Sequence, residues 1–161
     1  MRDKYKDDPK FVFYEHCYNI DKQLFLPLLD HVHEKTLCLE GYTLSIGHCN
    51  ALVAAFEHFS GFINRVILDN CGVDDVEFTA ILVGIRKLQD FKKIVYRRNI
   101  FQEGSLKAIQ DVFERQIPHH LEELRIENCT IDAQVTRALL ESMTGRSYLK
   151  KFGLVDGKLN N

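Results

Sequence analysis

The chain has 161 residues, 45% of them hydrophobic and 27% charged, with a net charge of −2. That is apolar material for one ordinary domain, and a charge balance that argues against general binding to nucleic acid or an anionic membrane. No run reaches the roughly 20 apolar residues that span a bilayer, the amino terminus lacks a secretory signal, and Cys17, Cys38, Cys49, Cys71 and Cys129 form no CxxC pair, which together point to a reducing, cytoplasmic setting.

Residues 1–9 read as a charged leader, and residues 10–161 as one repeat domain, open to being part of a longer array. An apolar-x-apolar triplet recurs through it, each copy predicting a short strand: Phe11-Val12-Phe13, Leu37-Cys38-Leu39, Val66-Ile67-Leu68, Ile94-Val95-Tyr96, Leu124-Arg125-Ile126 and Phe152-Gly153-Leu154. The starts are 26, 29, 28, 30 and 28 residues apart. Between triplets the apolar period lengthens to that of a helix. The first helical segment runs from Asp21 to Val32, where Pro27 predicts a kink or a late start. The next runs from Ile46 to Phe59. Asp74 to Leu88 comes third, with Asp74 as cap and Glu77 completing a capping box. Gly104 to Ile117 and Asp132 to Met143 end the series, the latter capped by Asp132.

The periodicity extends beyond the triplets. Units three to five read Ile63-x-x-Val66-x-Leu68-x-x-Cys71-x-Val73, Phe91-x-x-Ile94-x-Tyr96-x-x-Asn99-x-Phe101 and Leu121-x-x-Leu124-x-Ile126-x-x-Cys129-x-Ile131. This resembles the leucine-rich-repeat pattern LxxLxLxxN/CxL, and the period of about 28 resembles the ribonuclease-inhibitor type. At the Asn/Cys position His16, Tyr42 and Gly157 depart from the pattern, so units one, two and six are degenerate. The resemblance implies an α/β fold: a right-handed horseshoe solenoid of about six βα units, with a parallel sheet on the concave face and helices on the convex face. It also implies binding of a protein partner rather than catalysis.

Strand alternation names the solvent-facing side chains. The middle row is Val12, Cys38, Ile67, Val95, Arg125 and Gly153; the next row is Tyr14, Glu40, Asp69, Arg97, Glu127 and Val155. From these, Tyr14, Glu40, Ile67, Asp69, Val95, Arg97, Arg125 and Glu127 are the candidate partner-binding residues, the apolar ones as an exposed ladder. Lys92, Lys93, Arg97 and Arg98 form a basic cluster that Asp69 and Glu127 can neutralise. The histidines and cysteines of the first third lack zinc-ligand spacing, and no phosphate loop or nucleophile elbow occurs, so no metal, cofactor or catalytic group is expected. Only seven residues come after Leu154, too few for a covering helix. The alternative role is therefore assembly of a larger repeat protein, or self-association, through an open last strand.

Overall fold

The computed structural model describes residues 7–20, 28–59, 61–114, 121–144, 149–155 and 159–160. It begins with helix α1 (Pro9–Ile20), so the expected first strand at Phe11–Phe13 is corrected to a turn of helix. Asp8 is the reason. Its Oδ1 accepts from the amides of Lys10 at 2.8 Å and Phe11 at 3.4 Å, and Pro9 occupies the first helical position, where no amide is needed. Phe13 and Cys17, four residues apart, are both buried. Three residues of apolar alternation fit either period, and the cap decides between them.

The expected helix from Asp21 lies outside the described residues as far as 27. A short 3₁₀ turn, Leu28–His31, then leads into strand β1 (Val32–His33). β1 folds back antiparallel on β2 (Thr36–Glu40) through Glu34 and Lys35, whose φ angles are +46° and +62°. A two-residue hairpin needs that handedness, which Asn and Gly adopt at lower cost than Glu and Lys.

From β2 onward strand and helix alternate. The order is α2 (Ile46–Phe56), β3 (Arg65–Asp69), α3 (Asp75–Ile85), β4 (Lys93–Arg97), α4 (Glu103–Glu114), β5 (Glu123–Glu127), β6 (Ile131–Asp132), α5 (Ala133–Met143), β7 (Lys151–Val155) and β8 (Leu159–Asn160). The main sheet runs β1-β2-β3-β4-β5-β7, parallel except for β1; β6 pairs separately with β8. The fold is therefore mixed α/β with a mostly parallel sheet. With α1 in place of a strand, five parallel strands and four intervening helices stand among the described residues where about six units were expected.

The strands stack in strict register, Leu37 beside Val66, Ile94, Leu124 and Phe152. One backbone device repeats at each strand entry: the carbonyls of Lys35, Asn64, Lys92 and Glu122 each accept two amides from the next strand. Another repeats at each exit. Gly41, Asn70, Arg98 and Asn128 all have positive φ, and each donates its amide to the last carbonyl of the following strand. Inward residues Leu37, Leu39, Val66, Leu68, Ile94, Tyr96, Leu124 and Ile126 are buried beneath the helices.

Side chains also tie neighbouring units together. The Asn99 Oδ1 accepts from the Cys71 amide at 2.9 Å and the Val73 amide at 3.4 Å, while its Nδ2 donates to the carbonyls of Leu68 at 3.1 Å and Arg97 at 2.9 Å. Cys71 and Cys129 hold the corresponding places with their thiols toward the carbonyls of Leu39 and Tyr96. On the helical side, the Asp75 carboxylate accepts from the amides of Gly104 at 2.8 Å and Ser105 at 2.9 Å and from the Ser105 hydroxyl. The first turn of α4 is thus capped by the preceding helix. A Cβ on Gly104 would lie 2.4 Å from the Asp75 Oδ2, so only glycine admits the contact.

α2 starts with a capping box in which Ser45 faces His48. The His48 Nδ1 accepts from the Ser45 amide at 3.1 Å and lies 3.0 Å from its hydroxyl. An accepting nitrogen must be unprotonated, and a cation at a helix N-terminus opposes the dipole. Burial, too, holds the His48 pKa below its ordinary value. The unfolded chain therefore takes up the proton more readily, and stability present above the ordinary histidine range is lost as pH falls through it. Between about pH 7.5 and 5 the chain is expected to lose on the order of 1 kcal/mol more stability than His48→Gln, which keeps the acceptor without the titration. Urea melts at the two pH values measure this; parallel losses would remove His48 as the cause.

Candidate functional site

The face of the sheet away from the helices carries three cross-strand rows. Thr36, Arg65, Lys93, Glu123 and Lys151 stand side by side at the strand entries, Cys38, Ile67, Val95, Arg125 and Gly153 in the middle, and Glu40, Asp69, Arg97, Glu127 and Val155 at the exits. Seven of the eight residues singled out from the sequence, Glu40, Ile67, Asp69, Val95, Arg97, Arg125 and Glu127, are thereby placed on one face. Tyr14 is not among them: it lies half-buried on α1, for the reason given by the Asp8-Pro9 cap.

The exit row is a continuous ion-pair ladder. Arg97 reaches Glu127 through Nε at 2.8 Å and Asp69 at 3.2 Å; Arg98 reaches Asp69 through Nε at 2.5 Å and Glu40 at 3.0 Å. Asp69 is 3% exposed, and a buried carboxylate needs such partners. Its pKa is held below the ordinary carboxylate range, first by the bond from Arg98 and then by both guanidinium charges, against burial. The ladder continues through Arg125, which pairs with Glu123 and lies 3.5 Å from Glu127. Glu123 also holds Lys93 at 3.2 Å. Burial would raise the Glu123 carboxyl, but Lys93 and Arg125 outweigh it and the pKa falls.

The middle row is less open than its apolar composition suggests. Cys38 and Ile67 are half-buried and Val95 is 3% exposed, with the long charged side chains of both flanking rows around them. Burial, with Glu40 and Asp69 nearby, pushes the Cys38 thiol up, away from nucleophilic use. At the β1–β2 end, His31, His33, Cys38, Glu40 and Tyr42 line a hollow of about 420 Å³, in which the His31 Nε2 bonds the Tyr42 hydroxyl. Among the described residues no group of three or more His, Cys, Asp or Glu converges as metal ligands.

Sequence reasoning grouped Arg98 only with a local basic cluster. The structure makes it a ladder member, because the left-handed backbone at φ +53° turns its side chain across to β3 and β2. The usable signal is its place one residue beyond the strand, equivalent to Gly41, Asn70 and Asn128.

No protein-family model matches the chain, and no curated protein matches it. Solved structures do. One is of the leiomodin-1 actin-binding site 2, with a TM-score of 0.64 and 16% identity over 88% of this chain and 76% of that one. Another is the tropomodulin C-terminal domain from Caenorhabditis elegans, with a TM-score of 0.59 and 15% identity over 90% of this chain and 84% of that one. At such identity the likeness is one of fold. It replaces the ribonuclease-inhibitor-type resemblance, which is thereby corrected. The LxxLxLxxN/CxL spacing encodes a strand and the turn that leaves it, and that requirement does not distinguish one kind of stacked βα domain from another. No helix among the described residues is long and apolar enough to cross a membrane.

Proposed function

We propose that the chain is a protein-binding module that docks its partner on the open sheet face, the concave side of an arc of stacked leucine-rich-repeat-like units. Strands about 4.8 Å apart, backed by helices roughly 10 Å wide, bend a stack in that sense. The observation that supports the reading is the ladder Glu40–Arg98–Asp69–Arg97–Glu127. Its charges are held in fixed positions by one another, and a surface ordered in advance loses less entropy when it docks. Actin is the first partner to test, because the leiomodin-1 region of similar fold is an actin-binding site. In co-sedimentation with filaments, Glu40→Gln and Arg125→Gln are each expected to weaken binding about tenfold while shifting Tm by only ~2 °C. Both side chains are well exposed, so stability is the control. Undiminished binding by both variants would overturn the open face as the site.

A second reading rests on β7, which among the described strands of the main sheet pairs only with β5, beside a Val155 that is 51% exposed. An open parallel edge accepts a further strand. Association of two copies through β7, or continuation of a larger repeat assembly, would result. Light scattering across a concentration series tests the first: a monomer at every concentration removes it.

A further inference from the structure

We infer that the strand-entry end of the sheet is a second docking surface, fitted to an acidic segment of a partner protein that carries a bulky apolar side chain. Its entry row borders the same open face, but it uses residues other than the Glu40–Arg98–Asp69–Arg97–Glu127 ladder and stands whether or not the ladder docks a partner. The basic cluster seen in the sequence is divided by the fold. Arg97 and Arg98 are neutralised at the strand exits, whereas Lys92 and Lys93 lie at the opposite end with Lys35, Arg65, Lys150 and Lys151.

Those six cations stand beside the carboxylates of Glu34, Glu122 and Glu123, with Asp90 two residues before Lys92. Lys93 pairs with Glu123 at 3.2 Å, and Lys92 and Lys150 share Glu122 at 3.8 and 3.1 Å. Lys35, Arg65 and Lys151 are exposed and have no acidic partner among the described residues. A local basic surplus on a chain of net charge −2 is a surface for an acidic partner rather than a whole-molecule effect. From β2 to β7 the row spans four strand spacings, roughly 19 Å, the length of about six extended residues.

The apolar requirement comes from a hollow of about 690 Å³ at the β2 end of the row, whose walls include Pro9, Leu29, Val32, His58 and Phe62. Phe62 is 68% exposed, the most open of the large apolar residues among those described. Lys35 belongs both to the hollow and to the row, on a backbone position at φ +62° that Gly or Asn occupies more cheaply. Asp7, Asp8 and Asp30, the last paired with Lys10, also line the hollow and repel acid there, so a segment anchored in it by the apolar side chain carries its acidic residues out along the basic row.

Fluorescence anisotropy of the whole chain tests this with two labelled probes, hexaglutamate flanked at both ends by Phe and the same peptide flanked by Ser. Arg65→Glu with Lys151→Glu is expected to weaken the Phe probe at least about tenfold. A single Lys107→Glu on α4 leaves it near wild type, and adding Lys35→Glu to it restores the loss. Phe62→Ser lowers the Phe probe to the level of the Ser probe without moving the latter. Lys35→Gly raises Tm yet weakens both probes, which a purely structural role for Lys35 would not produce. Absence of saturable binding, equal loss in Lys107→Glu and the row variants, or tighter binding of a hexanucleotide RNA than of either peptide overturns the proposal.

Discussion

Asn99→Ala is expected to lower the unfolding free energy by about 3–5 kcal/mol, near the upper end for one substitution. Asn99 is 5% exposed, and its amide group serves two backbone N–H groups and two carbonyls drawn from three segments of chain. Alanine supplies none of these bonds, and each group left unpaired in the interior costs about 1–3 kcal/mol unless water reaches it. For a domain of this length the Tm falls on the order of 10 °C. Asn99→Cys is the informative comparison, since Cys71 and Cys129 fill the equivalent positions of neighbouring units with one thiol contact to the preceding strand. It is expected to lose about half as much. Urea melts with an unchanged slope measure both. A loss for Asn99→Ala no larger than the ~0.5 kcal/mol of an ordinary surface change would show that the clamp does not hold the stack.

Asp75→Ala is expected to cost about 2–3 kcal/mol, because a charged acceptor at a helix N-terminus is worth more than a neutral cap. The companion substitution supplies the control. Gly104→Ala in the natural chain drives a methyl to within 2.4 Å of the Asp75 carboxylate and destabilises by about 1–3 kcal/mol. With Asp75→Ala already present the carboxylate contacts at 2.4 and 2.8 Å are gone and only the 2.9 Å contact with the Cβ of residue 75 remains, so Gly104→Ala then costs less than about 1 kcal/mol. The shrinking of the Gly104→Ala loss in this double-mutant cycle is the test: additive losses would mean that Gly104 is required for some reason other than the Asp75 carboxylate. Hydrogen exchange confined to the first turn of α4 would place the damage where the cap acts.

Much of this architecture is legible in the residues. Each triplet from Leu37 onward is a strand, the face assignments from Cys38 to Val155 match the observed register, and Asp74 and Asp132 cap the helices they were expected to cap. Phe11–Phe13 misleads because three residues cannot separate a period of 2 from one of 3.6, and the Asp8-Pro9 pair that decides the matter looks like part of a charged leader. The sites are harder for a different reason. Lys92 and Arg97 are five residues apart in sequence but at opposite ends of a strand, about 16 Å apart at ~3.3 Å per residue. A list of local charges therefore merges two surfaces that the fold separates. Nor does a pattern of apolar residues report the length of their neighbours, which is what leaves Val95 almost without exposure.

The Asn99 clamp also bears on how the chain acquires its order. A stack of units in which each touches only its neighbours forms from whichever junction is most stable and grows outward. The β3–β4 junction is crossed by three side-chain bonds from one residue, where the equivalent position at the junctions on either side supplies a thiol. The middle of the chain is thus the natural nucleus, with the hairpin at one end and β7 at the other closing last and fraying first. Substitutions at Asn99 would then slow folding, and substitutions near the ends would chiefly speed unfolding, a partition that chevron kinetics reads directly.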